Sequence, residues 1–186
     1  MNNAFPGVFS QQNFMTEFMQ IILWSLMGAA IYAAAGFLVL KSGSDRLEKL
    51  EKLTRNPVIG LLFGWFALLF CVPHAAAVSP DFLQKFLYPL AIIVPIIGCF
   101  KVDYPASRAV SGTLILCAYN LIHLAFDNNL AATPFYAVTG WLSGAFAIWC
   151  SGLPWTWRDI FRTCASSRRK RAIFAVVFFI LLTSLT

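Results

Sequence analysis

The sequence predicts an all-α fold: a polytopic integral membrane bundle of about six transmembrane helices, with both termini outside. Three observations carry this. Of the 186 residues, 59% are hydrophobic and 12% charged, against about 45–50% and about 25% in soluble domains, and the mean hydropathy is +0.72. Six apolar segments recur along the chain, most of them near the roughly 17–25 residues a helix needs to cross a bilayer. Thirteen of the fourteen Lys and Arg residues fall in alternate loops.

The apolar segments cover residues 18–40, 57–78, 86–100, 107–126, 132–153 and 172–186. Ahead of the first, residues 1–17 contain no Lys or Arg, and Phe5, Phe9 and Phe14 are expected to lay this tail on the outer surface. The first segment lacks a basic flank and a small-residue exit, so it reads as a retained span and not as a cleaved signal. Residues 44–55, SDRLEKLEKLTR, predict a short amphipathic helix on the membrane interface. Ser44 or Asp45 can cap it, Leu47, Leu50 and Leu53 form one stripe, and Glu48 pairs with Lys52 at i,i+4. Pro57 then opens the second span at a first-turn position.

The third segment, FLYPLAIIVPIIGCF, is short unless it extends back through Asp81–Lys85, and Pro89 and Pro95 are expected to kink it. Asp103 and Arg108 bracket the Pro-containing turn before the fourth span and are expected to pair. The sixth segment follows Arg171 and would be about 22 Å long as a helix. It is expected to span under strain, to thin the bilayer or to end among the headgroups.

Charge sets the orientation. The first loop holds Lys41, Arg46, Lys49, Lys52 and Arg55, the third Lys101 and Arg108, and the fifth Arg158, Arg162, Arg168, Arg169, Lys170 and Arg171. The loops between them hold Lys85 alone. Positive charge stays on the cytoplasmic side, which puts the odd loops in the cytoplasm and both termini outside, with the chain in a cell inner or plasma membrane. The formal net charge of +6 is thereby explained by membrane-flanking loops, not by a nucleic-acid surface. Arg168, Arg169, Lys170 and Arg171, with Trp155 and Trp157, fit an interfacial anchor touching anionic headgroups. No repeat or linker divides residues 1–186, which read as one transmembrane domain.

Faces follow from spacing. In the fifth span, steps of four and three give Thr133, Ala137, Gly140, Gly144, Ala147 and Ser151; in the second they give Gly60, Gly64, Ala67, Cys71 and His74. Small residues at this spacing let helix backbones approach closely. On that basis Gly144→Leu is expected to cost more than Ser143→Leu. The fourth span instead carries Asn120, His123 and Asp127 on one face, polar groups that are costly in hydrocarbon and need a partner or a cavity. His74 and His123 are the only histidines, and both lie near the outer ends of their helices.

Three readings follow for His74, Asn120, His123, Asp127 and Cys71. They form hydrogen bonds that lock helices together; or His74 and His123 hold one b-type haem iron from both sides; or His123, with Asp127 or Asn120, acts as a general base on a lipid-borne substrate at the outer face, with Cys71 as the one candidate nucleophile. The five cysteines, at 71, 99, 117, 150 and 164, form no CxxC pair and read mostly as small apolar packers.

KVDYPASRAVSG resembles the opening of the CDP-alcohol phosphotransferase motif in its Asp and Arg spacing. Tyr104 and Ser107 replace that family's Gly and Ala, and its further aspartates have no counterparts, so the metal chemistry is excluded. GWLSGAF resembles the nucleophile motif of rhomboid proteases, but the last span holds no histidine to activate a serine. What remains is a non-catalytic bundle, serving as an accessory subunit or binding a lipid or small molecule, with the haem protein or membrane enzyme as the alternative. Its partners are the bilayer and other membrane proteins, a second copy of the chain included.

Overall fold

A computed structural model describes residues 6–42, 46–127 and 133–183. Within them the chain is all helix: α1 (Pro6–Leu40), α2 (Leu47–Thr54), α3 (Pro57–Val78), α4 (Asp81–Lys101), α5 (Pro105–Asp127), α6 (Thr133–Gly152), α7 (Thr156–Ser166) and α8 (Arg168–Thr183). Phe5, the Ser44 and Asp45 caps, the DNNL loop beyond Asp127 and the last three residues lie outside the described residues, as do the side chains of Phe9, Phe14 and Thr133.

Three stretches are apolar and long enough to cross a membrane: Ile22–Leu40 within α1, Leu47–Val78, which joins α2 to α3, and Asp81–Lys101. α5 and α6 reach span length with more polar sequences, and position explains why. α5 is the central helix, packed against α6, α3 and α1, so its Ser and Thr residues meet protein. Those hydroxyls are satisfied inside the bundle. Thr113 donates to the Ala109 carbonyl at 3.0 Å, and on α6 Thr139 donates to that of Phe135 at 2.9 Å. α4 packs on the outside of α3, and α8 on α1.

Several boundaries differ from the sequence reading. The backbone of α1 is helical from Pro6, so the expected surface tail is continuous with the first span. α4 starts at Asp81, the extension back through Asp81–Lys85 that a full span needed, and holds Pro89 and Pro95 inside the helix. Pro95 is buried and faces Gly64, where a Cβ would stand 3.3 Å from the proline Cβ. The largest difference is α7, which occupies a stretch read as loop. Trp157, Ile160, Phe161 and Cys164 form its buried stripe, at the spacing of one helical face. Trp157 is therefore no interfacial anchor: it is 6% exposed and its indole donates to Ser111 Oγ at 3.1 Å. Trp155 keeps an exposed position.

α2 is likewise more than a surface helix. Leu50 and Thr54 are buried, and the helix packs on α7. Arg162 grips Glu51 with two bonds, at 2.5 and 3.1 Å. At the start of α3, Asn56 accepts from Val58 N–H at 2.9 Å, with Pro57 in the first turn.

The close-packed face of α6 is centred elsewhere than its small residues suggest. Gly140, Ser143, Ala147 and Cys150 are buried, while Gly144 is half-buried with only Ala118 Cβ nearby, at 3.4 Å. Ser143, at 3% exposure, faces Tyr32 of α1, and neither hydroxyl makes a hydrogen bond of normal geometry. On this burial Ser143→Leu is expected to be the costlier of the two leucine substitutions, the opposite of the order read from the small residues.

Candidate functional site

Helices α1 and α3 touch at one end and part at the other. Trp24 of α1 packs edge-on against Phe70 and Phe66 of α3, with ring centroids 4.4 and 6.1 Å apart. Toward the opposite end they enclose a groove of about 340 Å³, at the lower end of the roughly 300–1,000 Å³ usual for ligand pockets. One wall is α1 from Met27 to Leu38, and the other is Ile59 and Phe63 of α3. Val110 of α5 and Trp157 and Phe161 of α7 form the floor, and Leu53 and Thr54 close the foot. Ala30 and Ala34 are exposed, so the groove opens outward.

The lining offers almost nothing to a polar ligand. Its two hydroxyls are already committed to backbone carbonyls: Thr54 donates to Glu51 at 2.8 Å and buried Ser107 donates to Pro154 at 2.7 Å. Met27 to Leu38 spans about 16 Å of helix, close to half of a hydrocarbon core about 30 Å thick. The groove is therefore about as long as one leaflet of hydrocarbon is thick.

A polar cluster sits at the foot. Tyr104, in the turn before α5, has φ 57°, a conformation rare for an aromatic residue and costing about 1–3 kcal/mol. Its surroundings hold it there. Its carbonyl accepts from Arg108 N–H at 3.2 Å to begin α5, and Pro105 follows in the first turn. Its hydroxyl accepts from Arg55 Nη2 at 2.8 Å and from Arg158 Nη1 at 2.9 Å. Both guanidiniums also lie against its ring, 4.7 and 5.8 Å from the centroid. Arg158 gives its other edge to Asp159, and Arg162 is held by Glu51. The Arg162 guanidinium holds the Glu51 carboxyl below its usual range. Arg108 reaches not Asp103 but the Ser151 carbonyl, at 3.4 Å.

The residues singled out in the sequence sit elsewhere. Gly60 seats α3 on the start of α5, where a Cβ would stand 2.8 Å from Pro105 Cβ; at Gly140 it would stand 2.7 Å from Ile122 Cγ1. Cys71 is half-buried in α3. His74 is exposed, with Nδ1 3.3 Å from the Phe70 carbonyl and its ring against Phe70. His123 is exposed and its Nδ1 lies 3.0 Å from Asp127, while Asn120 donates to the Leu116 carbonyl. Every one of these polar contacts is made within one helix.

The seat of Gly60 on Pro105 also sets the relative height of the histidines. His74 is fourteen residues beyond Gly60 and His123 eighteen beyond Pro105, a difference of about 6 Å along parallel helices. Arg168, Arg169 and Lys170 are exposed at the start of α8, and Arg171 donates to the Cys164 carbonyl. Among the described residues, no three His, Cys, Asp or Glu side chains gather as a metal site would require.

The groove and its foot went unread in the sequence. The α7 stripe was the one signal available, since apolar residues at 157, 160, 161 and 164 point to a docked helix. The class these features define is a helical protein with three helices apolar and long enough to cross a membrane. Comparison with family models, characterised proteins and solved structures finds no match.

Proposed function

We propose that the chain is a single-domain, six-span, non-catalytic membrane protein that binds the acyl chain of a lipid in the groove between α1 and α3. The observation that carries this is the groove itself: about 340 Å³, open at Ala30 and Ala34, and lined by apolar groups and hydroxyls that are already bonded. An unfilled apolar slot forgoes dispersion contacts along its walls, and a lipid tail restores them. The topology proposed with it is N-out and C-out in a cytoplasmic membrane. Arg55, Tyr104 and Arg158 tie basic segments from three loops to one end of the bundle, which is the arrangement the positive-inside rule requires.

The reading is tested by native mass spectrometry of detergent-solubilised protein titrated with dioleoylphosphatidylcholine. The wild type should hold one lipid saturably, and Ala34→Phe, which fills the groove from its open side, should lose it while keeping its unfolding transition. Unchanged lipid binding by Ala34→Phe would refute the assignment. Reporters after Asn129 and Ser167 should fall outside and inside, respectively. The intrahelical contacts of His74 and His123 engage Nδ1 and leave each Nε2 for a metal or a proton, so a b-type haem or a general base is the alternative reading. A Soret band lost on His123→Ala would select the haem alternative.

A further inference from the structure

The groove does not end in apolar residues at its foot; it ends in positive charge. In three separate segments, a residue that lines the groove is followed or preceded in the chain by a member of the polar cluster. Thr54 precedes Arg55, Trp157 precedes Arg158, and Ala106 lies two residues after Tyr104. A chain lying in the groove therefore brings whatever is attached at its basic end to these three side chains.

The cluster is unusual in what it leaves unpaired. Two guanidiniums converge on one phenol oxygen, at 2.8 and 2.9 Å; Arg158 is neutralised by Asp159, and Arg55 has no ion-pair partner among the described residues. Asp159 takes one edge of Arg158, and Glu51 is committed to Arg162. Arg55 is exposed, donates to the phenol and stacks on its ring. Guanidinium forks match the oxygens of a phosphate or a carboxylate, and the phosphate is the one that every membrane phospholipid carries next to its acyl chains. The left-handed backbone of Tyr104 keeps the bridging hydroxyl between them.

We propose that Arg55 and Arg158, bridged by the Tyr104 hydroxyl, bind the phosphate of an anionic membrane phospholipid whose acyl chain fills the groove. This rests on the groove being an acyl-chain site and adds the headgroup class. Selectivity for net negative charge follows from the cluster, since a zwitterionic headgroup brings a cation of its own toward the two arginines. The exposed Arg168, Arg169 and Lys170 lie on α8, which contributes no residue to the groove, and they play no part in this selection.

The test is a competition between dioleoylphosphatidylglycerol and dioleoylphosphatidylcholine for the single lipid position, read by native mass spectrometry of the full chain. The wild type should prefer the anionic lipid about tenfold or more, the worth of one hydrogen-bonded charge pair. Arg55→Gln should abolish most of that preference while phosphatidylcholine still binds, and Arg168→Gln with Arg169→Gln should leave it intact. Glycerol phosphate, which has the charge but no chain, should give no adduct at the same concentration. Equal preference in wild type and Arg55→Gln would overturn the headgroup assignment and leave the groove reading standing. Loss of preference only on changing Arg168 and Arg169 would overturn it too, and a glycerol phosphate adduct removed by Arg55→Gln would make the cluster a site for free phosphates and overturn its assignment to a lipid. Failure of phosphatidylcholine to bind the wild type at all would instead sink the groove reading.

Discussion

Replacing Gly60 with alanine tests how tightly the foot of the groove is built. A Cβ there would stand 2.8 Å from Pro105 Cβ, 2.9 Å from the Pro105 carbonyl carbon and 3.1 Å from Ala106 N. These atoms belong to a ring and a backbone at the first turn of α5, so none can swing aside. Overpacking of this kind costs about 1–3 kcal/mol, and alanine's higher helix propensity returns about 1 kcal/mol. The net expectation is a loss of about 1 kcal/mol. Gly112, on α5 itself, is the control, because a Cβ there meets nothing within 4 Å; Gly112→Ala should gain about 1 kcal/mol. Unfolding in detergent titrated with SDS measures both, and opposite signs are expected. At Gly140 the obstacle is Ile122 Cγ1, at 2.7 Å, and a β-branched side chain in a helix has little χ1 freedom, so Gly140→Ala should destabilise about as much as Gly60→Ala. If Gly60→Ala is as stable as the wild type while Gly112→Ala gains, the seat of α3 on α5 is looser than these distances state.

Ser143→Leu should destabilise by about 1–3 kcal/mol and Gly144→Leu by less in the same unfolding assay, because Ser143 is buried and Gly144 has one neighbour at 3.4 Å; the reverse order would restore the face read from small residues. Tyr32→Phe should stay within about 1 kcal/mol of the wild type, since the buried hydroxyl it removes faces Ser143 without a hydrogen bond of normal geometry; a larger loss would mean the two hydroxyls bond. The docking of α2 on α7 should depend on pH through Glu51, whose carboxyl is held below the ordinary 4.5 chiefly by its bond to Arg162. A carboxyl depressed in the folded state binds protons more readily when unfolded. Its contribution is therefore complete above the ordinary value and lost as pH falls through the depressed one. Hydrogen exchange of Leu47–Thr54, corrected for intrinsic rates, should accelerate in that acid range, and Glu51→Gln should flatten the response.

Helix type and approximate extent were legible because each depends on a residue's own character and its near neighbours. Residues 57–78 are apolar except for His74 and bounded by Pro57 and Ser79, and the structure has a helix over that range. The Leu47, Leu50 and Leu53 stripe marked α2 in the same way. The clustering of basic residues into a few segments was also plain in the chain. Burial was harder to read. A stripe of glycine and alanine says where a partner could come close, but the partner decides where it does, and Tyr32 drew the buried face of α6 to Ser143.

The sequence by itself determined that this is a helical chain with stretches apolar enough for a membrane, because hydropathy sums one residue at a time. Only the tertiary structure decided that α7 is buried, that α1 and α3 part to leave a groove, and that two arginines about a hundred residues apart in the chain meet at Tyr104. The groove is a space between helices, fixed at one end by Trp24 on Phe70 and at the other by Gly60 on Pro105. Each of those contacts joins residues more than forty positions apart, so no local pattern in the chain carries them.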